Sequence, residues 1–157
     1  MSAGRRTIGA RATLSGIGLH LGLPCTLEFV PAPAGFGIAF KRVDLPGSPV
    51  TPAVVAHAIE SERRTQLGSG DGALHTVEHV LAAAMGLGID DLLIEMNAAE
   101  PPILDGSARP FLEALRSSGI VEHGGEVSWL VVTQKIRVIS GESLYLVEPA
   151  NAPNACS

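Results

Sequence analysis

The sequence predicts an α+β domain with two layers, a β-sheet that carries two helices on one face, in the order β-β-β-β-β-α-β-α. Three observations favour this class. The first seventy residues are short strand-like stretches separated by turns rich in glycine and proline. Two later segments contain good helix formers and are followed by glycine. One strand-like segment, DLLIEMN, lies between them. Strands that precede helices in this way indicate helices packed on one face of a sheet.

Five strands are predicted before the first helix because alternating or β-branched residues recur between turn signals. The turn signals are PAPAG at 31–35, DLPGSPVTP at 44–52 and GSGDG at 68–72. The predicted strands are RTIGARATLSG (6–16), TLEFV (26–30), FGIAFKRV (36–43), AVVAHAIES (53–61) and RTQLG (64–68).

The first helix is predicted over VEHVLAAAMG, residues 77–86. Thr76 is a plausible N-cap, and Glu78 stands in the first turn, where a carboxylate suits the positive helix end. Gly86 and Gly88 offer positions for the helix to end. The strand DLLIEMN and the loop NAAEPPILDG follow.

The second helix is predicted to begin after Ser107 as its cap, with a proline in its first turn. Gly119 ends it. Its inward-facing residues are expected to be Phe111, Leu112 and Leu115.

The last part of the chain predicts a hairpin in WLVVTQKIRVISGESLYLVEP, turning at Ser140-Gly141. LYLVEPAN resembles the earlier TLEFVPAP, so the hairpin is expected to open a second, incomplete copy of the first domain. The predicted domains are 1–124 and 125–157. An isolated hairpin with apolar arms at 129–132 and 144–147 is expected to be loosely held and prone to association. Proteolysis is expected near residues 123–125.

Composition excludes several classes of protein. With 157 residues, 46% of them hydrophobic, the chain can form a core, and its net charge of −5 does not favour binding to nucleic acid. Cys25 and Cys156 are far apart and form no CxxC motif, which argues against a cysteine zinc site or a disulfide scaffold. The N-terminus lacks the apolar core of a signal peptide, and no apolar run approaches the roughly 20 residues of a membrane span. We therefore expect a soluble, cytoplasmic protein.

The candidate site is HTVEH at residues 75–79. On the predicted helix the apolar side chains lie opposite His79, with Glu78 on the flank, so both polar groups point away from the core. A solvated polar face is one interpretation; a catalytic face that looks into a cleft is the other. The inverzincin pattern H-x-x-E-H requires both histidines on one helical face. If Thr76 caps the helix, His75 lies outside it and that geometry fails.

Three sequence blocks resemble one enzyme family. They are GIGLHLG at 16–22, RTQLG at 64–68 and TVEHVLAAAMGLGIDDLLIEMNAAEPPILDGSARPF at 76–111. In order and spacing they are similar to the zinc-dependent UDP-3-O-acyl-N-acetylglucosamine deacetylases of lipid A biosynthesis. The resemblance covers essentially the whole chain but only about the first half of the family's length. It implies two similar domains, each a sheet with two helices, with the active site between them.

The resemblance implies a role for each residue of the motif. His79 falls on the first zinc ligand and Glu78 on the general base, while His75 falls on a position that need not be histidine. Zinc with its bound water and a glutamate that takes the proton together release acetate from the sugar nitrogen. The UDP-acyl-sugar is the implied substrate. His20, in the GIGLHLG turn, is placed near the cleft or is a hydrogen-bonded turn residue, and Asp105 is placed in the substrate region or satisfies backbone N–H groups at a helix start.

Two features depart from the family pattern. Leu21 stands where the family usually has Thr or Ser. The other two zinc ligands come from a His-x-x-x-Asp motif in the family's second domain, and no such motif follows Val127. His123 is interpreted as a solvated loop residue that does not replace it, and His57 as a strand residue.

Three functions follow. The chain is a fragment of the deacetylase that is inactive alone; or it is a non-catalytic domain that binds a partner supplying a second domain; or it is a structural domain without a ligand. The first is favoured because Glu78 and His79 are both present. An in-frame His-x-x-x-Asp motif downstream of the coding sequence would favour it further, whereas a separate gene for that half would favour the second.

Overall fold

A computed structural model of the chain describes residues 4–127 and 130–149 and confirms the α+β class. The chain divides into two compact units, Met1–Glu126 and Val127–Ser157. Two short 3₁₀ helices accompany the regular elements, at Val55–His57 and Gly70–Gly72. The regular elements are β1 (Arg5–Ile8), β2 (Ala12–Ile17), β3 (Pro24–Pro31), β4 (Ile38–Arg42), β5 (Val50–Pro52), β6 (Ala58–Ile59), β7 (Gln66–Leu67), β8 (Leu74–His75), α1 (Glu78–Gly86), β9 (Leu92–Met96), α2 (Arg109–Ser117), β10 (Ile120–Gly124), β11 (Ile136–Ser140) and β12 (Ser143–Val147).

The first unit is built on a five-stranded mixed sheet in the order β2-β3-β9-β4-β5. The strand β9 pairs antiparallel with β3 and parallel with β4. Alternate residues of the strands point into one core, where they meet residues of α1 and α2. Each large side chain buried in this way contributes roughly 1.5–3 kcal/mol to folding. The largest fully buried apolar side chains are Phe29, Phe40, Phe111, Ile8, Leu27, Leu74, Leu92, Ile94, Met96, Leu115 and Val77.

The predicted strand count before α1 was wrong, since residues 4–77 contain eight strands rather than five. The segment 6–16 divides because β1 leaves the main sheet. The predicted loop 44–52 contains β5, and AVVAHAIES contains a 3₁₀ helix followed by β6. His57 therefore lies in a 3₁₀ helix, where its Nδ1 is 3.0 Å from the Pro52 carbonyl oxygen. Strands β6, β7 and β8 have two residues each, too few for a period of two to be visible.

The strand β10 was also missed, and the interpretation of His123 as a solvated loop residue was wrong. β10 pairs antiparallel with β1 from Ile8↔Ile120 to Arg5↔Gly124. The His123 imidazole is part of this arrangement, because its Nε2 lies 3.0 Å from an Asp91 carboxylate oxygen. Most β10 side chains are exposed, which is why the segment reads as polar loop. The expected cleavage at 123–125 therefore falls partly on a paired strand.

The predicted helix ends are confirmed, whereas both predicted caps were wrong. Gly88 and Gly119 follow α1 and α2 in the left-handed conformation, with φ of +64° and +76°. The N-cap of α1 is Val77 rather than Thr76, and that of α2 is Ala108 rather than Ser107. The Ser107 hydroxyl still accepts the Arg109 N–H at 3.1 Å from one position earlier.

The second unit contains the predicted hairpin, in which β11 and β12 pair from Ile136↔Val147 to Ser140↔Ser143. Every residue of both strands is exposed within this structure. The first arm begins at Ile136 rather than at 129–132, and Trp129 and residues 150–157, including Cys156, lie outside the described residues. The division at 124/125 and the second-copy interpretation stay predictions. Neither α-helix in the described ranges has the length and hydrophobicity to cross a membrane.

Candidate active site

The site predicted from the sequence lies at the start of α1, directly after β8 and a tight turn. Glu78 and His79 form the first turn of the helix, and both side chains are half-buried. On the other side of the helix Val80, Ala83 and Ala84 are fully buried against the sheet. The apolar face thus fixes the helix in place and leaves the two polar groups on a different side, as the helical spacing predicts.

Glu78 is oriented by a backbone group from the RTQLG segment. The Thr65 N–H donates to Glu78 Oε2 at 3.1 Å. For the other oxygen, Oε1, the structure records no hydrogen bond to the residues that it describes. One anchored and one free oxygen is an arrangement suited to a carboxylate that accepts a proton.

The His79 imidazole has no recorded hydrogen bond to any residue in the described ranges. Nor do the described residues contain a group of three or more His, Cys, Asp or Glu side chains placed to hold a metal ion. His79 is therefore a single potential metal ligand rather than a member of a closed site, which would need four.

His75 lies in β8, outside the helix, so the prediction that the H-x-x-E-H geometry fails is confirmed. Its N–H donates to the Ala99 carbonyl at 2.9 Å. Its Nδ1 is buried, with no protein partner among the described residues. Burial and, next, the Arg64 charge lower the pKa of His75, which keeps the ring neutral near pH 7.

Sequence reasoning missed Glu100, whose carboxylate contacts both the segment that leads into α1 and the GIGLHLG turn. Its side chain is 2% exposed. It accepts the Thr76 hydroxyl at 2.6 Å and the N–H groups of His20 at 3.0 and 3.1 Å and of Leu21 at 2.8 Å. Burial alone would raise the pKa of Glu100, but these hydrogen bonds outweigh it and lower the pKa. The available signal was a lone acidic residue in the otherwise uncharged segment 97–104.

The GIGLHLG block forms a turn that closes on this carboxylate. Within the turn the Gly18 N–H donates to the Leu23 carbonyl, and the Gly22 N–H to the Gly18 carbonyl. A Cβ at Gly18 would lie 2.6 Å from Glu100 Oε2, so any other residue here would displace the Glu100 carboxylate. Leu21, the departure from the family pattern, contributes its N–H, while the His20 side chain is exposed.

Asp105 is exposed, and its recorded hydrogen bonds stay within its own loop. Its Oδ1 accepts the N–H and the hydroxyl of Ser107, both at 2.9 Å. These two bonds lower the pKa of Asp105. The structure thus shows a turn at the start of α2, as one of the two interpretations predicted, and shows no bond from Asp105 to Glu78 or His79.

A second buried carboxylate, Asp91, accepts hydrogen bonds from β1 and β10 rather than from residues of the site. It is fully buried and accepts Arg5 Nε at 2.8 Å and Nη2 at 2.7 Å, the Gly37 N–H at 2.7 Å and His123 Nε2 at 3.0 Å. Burial would raise the pKa of Asp91, but the bonds from these three residues hold it well below its ordinary value. His123 therefore anchors β10.

Comparison with known proteins gives one consistent result. A family model described as UDP-3-O-acyl N-acetylglycosamine deacetylase matches residues 5–156. The chain is 46% identical to the bifunctional enzyme LpxC/FabZ of Chlorobaculum tepidum over 84% of the chain and 28% of that protein. It is 42% identical to a UDP-3-O-acyl-N-acetylglucosamine deacetylase of Anaeromyxobacter dehalogenans over 94% of the chain and 47% of that protein. For the deacetylase of Bdellovibrio bacteriovorus the identity is 41%, over 92% and 48%. The chain thus spans less than half the length of these relatives.

Proposed function

Because this chain belongs to the UDP-3-O-acyl-N-acetylglycosamine deacetylase family, we propose that it serves the zinc-dependent removal of the acetyl group from UDP-3-O-acyl-N-acetylglucosamine in lipid A biosynthesis. One observation carries the proposal. Glu78 and His79 stand side by side in the first turn of a helix, and the Thr65 N–H orients the carboxylate. A proton acceptor beside a nitrogen ligand is what hydrolysis of an amide through an activated water requires.

His79 can supply one ligand of a zinc site, with Glu78 beside it. The His79 imidazole has no protein hydrogen bond among the described residues, so it is available as a ligand. A zinc ion held there would supply the Lewis-acid chemistry that activates a water for attack at neutral pH. The remaining ligands are proposed to come from a second domain, in the same chain or in another chain, because no His-x-x-x-Asp motif follows Val127 in this sequence.

Glu78 is proposed as the general base. The Thr65 N–H fixes Oε2, and Oε1 accepts the proton from the attacking water. The same group then returns the proton to the departing sugar nitrogen, so that acetate and a free amine result. His20 and Asp105 are proposed to lie in the substrate region, His20 through the turn that Glu100 holds.

A hybrid enzyme tests this proposal. This chain replaces the matching 47% of the Anaeromyxobacter dehalogenans relative, and acetate release from the UDP-sugar is measured together with zinc content. We expect turnover, a decrease of about 10²–10⁴-fold for Glu78→Gln with zinc retained, and loss of zinc for His79→Ala. Glu113→Gln on α2 is the matched control, since it also neutralises a helical carboxylate but on an exposed position, and should change neither quantity.

Three results would contradict the proposal in different ways. A hybrid that holds zinc and gives no turnover argues against deacetylation and favours the non-catalytic, partner-binding alternative. Near-normal turnover of Glu78→Gln assigns the base elsewhere. Zinc retained in His79→Ala removes His79 from the ligand set.

A further inference from the structure

The residue that precedes the site helix by two positions has an unusual backbone conformation. Thr76 has a φ of +55°. A β-branched residue rarely adopts this left-handed region because its side chain crowds the backbone. Such conformations persist only where the surrounding structure holds them in place, and they cluster at functional sites. Thr76 therefore needs a partner that holds it.

Glu100 and its neighbour are that partner. The Thr76 hydroxyl donates to Glu100 Oε1 at 2.6 Å, and the His75 N–H donates to the Ala99 carbonyl at 2.9 Å. Two consecutive residues of the loop after β9 thus hold the two consecutive residues that lead into α1. This pair of bonds sets the direction in which the chain enters the first turn, which carries Glu78 and His79.

The same carboxylate holds the GIGLHLG turn on its other side. Both oxygens accept the His20 N–H, and Oε2 accepts the Leu21 N–H. The Ile103 N–H donates to the Ile17 carbonyl at 2.9 Å. The loop after β9 and the GIGLHLG turn are therefore joined at Glu100 and again at Ile103. Gly18 permits this approach because it has no Cβ.

The two buried carboxylates of the first unit are compensated differently. Asp91 is paired with Arg5 and His123. For Glu100, no Lys, Arg or His nitrogen lies within ion-pair distance among the residues described. Its charge is balanced by backbone N–H groups and one hydroxyl, which are directional donors in fixed positions. Because these donors are directional, they fix the position of the Glu100 carboxylate more closely than an ion pair would.

We propose that Glu100 is a positioning residue: through Thr76 it sets the first turn of α1, and through two backbone amides it holds the turn of His20 in register with Glu78 and His79. The proposal rests on the proposed function only for the roles of Glu78 and His79. Glutamine at position 100 has one acceptor oxygen instead of two. With its N–H₂ group toward Leu21 it faces an N–H that can only donate. With its N–H₂ group toward Thr76 the hydroxyl must reverse from donor to acceptor, so in either orientation a bond to a charged oxygen is lost.

Nuclear magnetic resonance of the 157-residue chain tests this without any activity. Glu100→Gln is compared with Asp91→Asn, which replaces the other buried carboxylate by the same chemistry. We expect Glu100→Gln to shift or broaden the His79 ring and amide signals and the amide signals of residues 20 and 21. Asp91→Asn should leave all of these in place.

A second pair of variants keeps the test decisive if Glu100→Gln does not fold. Thr76→Val removes the hydroxyl and keeps the shape, whereas Thr76→Ser keeps the hydroxyl. We expect the valine variant to shift the His79 signals and the serine variant to restore them. The proposal is overturned if Thr76→Val leaves the His79 signals unchanged, or if Asp91→Asn moves them as far as Glu100→Gln does.

The hybrid enzyme adds a kinetic measurement. Glu100→Gln should lower kcat by more than about 10-fold while KM and zinc content stay within about twofold, because the reacting groups are displaced but not removed. Asp91→Asn should leave kcat unchanged at a temperature where it is folded. If every hybrid is inactive, the proposed function fails, and the resonances of the 157-residue chain still decide the role of Glu100.

Discussion

Replacing Asp91 by asparagine should destabilise the first unit without changing its fold. The substitution keeps the size of the side chain and removes the charge that faces Arg5 and His123. The asparagine oxygen can still accept the Gly37 N–H, but its N–H₂ group must then face the guanidinium, which has only donors. The partly buried Arg5 guanidinium is left without the carboxylate that pairs with it.

The structure gives the size of the effect. Breaking one side of a buried ion pair costs roughly 3–5 kcal/mol. The Arg5 side chain is 18% exposed and can recover some hydration, so we expect the lower end, about 3 kcal/mol. A domain stabilised by roughly 5–15 kcal/mol remains folded after this loss.

Urea unfolding followed by helical circular dichroism measures this loss. With a slope of about 2 kcal/mol per molar urea, the midpoint should fall by about 1.5 M at unchanged slope. The pKa of Asp91 lies below its ordinary value in the folded state, so its contribution is fully present above about pH 4 and is lost as the pH falls further. The difference between wild type and Asp91→Asn should therefore shrink below about pH 4.

Two results would refute this reasoning. A loss under about 1 kcal/mol would mean that the hydrogen bonds to Asp91 barely exceed the cost of burying it. A difference that stays constant below about pH 4 would mean that the lowered pKa does not contribute to stability. Arg109→Ala is the control, since its pair with Glu113 is exposed and the midpoint should not move.

Three further predictions concern metal, a thiol and proteolysis. The purified 157-residue chain should hold no stoichiometric zinc by elemental analysis; a tightly held zinc lost on His79→Ala but not on His75→Ala would reveal further ligands here. In a Cys156→Ser variant, the buried Cys25, whose pKa is raised to about 11 by burial, should react with a disulfide reagent about 100-fold more slowly at about pH 8 than it does in urea, and equal rates would contradict its burial. Chymotrypsin should cut first after Leu130, which is 96% exposed, and initial cleavage within 120–124 would argue against β10.

The sequence predicts the elements that local pattern determines. α1, α2 and β9 are long enough to show their periods, and Gly88 and Gly119 mark the helix ends through their left-handed conformation. The strands β5 to β8 have two or three residues, and β10 is mostly exposed, so their pairing depends on partners that no short window contains. The fold class therefore follows from the pattern, whereas the number of strands does not.

The residues of the candidate site show the same difference between local pattern and contacts that are distant in the chain. Glu78 and His79 are predicted as site residues through the resemblance of TVEH to the family motif, since their place on the helix alone also allowed a solvated polar face. Glu100 is not, because its partners Thr76 and His20 lie 24 and 80 residues away in the chain. For the same reason the sequence predicts Thr76 as a helix cap, the usual local role of a threonine at that position. Its hydroxyl instead serves a distant carboxylate.

The pairing of β1 with β10 has a consequence for how the protein is made. Arg5 pairs with Gly124, about 120 residues later in the chain. Ribosomes add roughly 5–20 residues per second, so β1 is synthesised at least about 6 s before its partner strand. During that time its apolar Ile8 has no strand beside it and is open to other contacts. The nascent chain is thus most exposed to aggregation before residue 124 emerges, and chaperone binding to its first residues should be strongest in that interval.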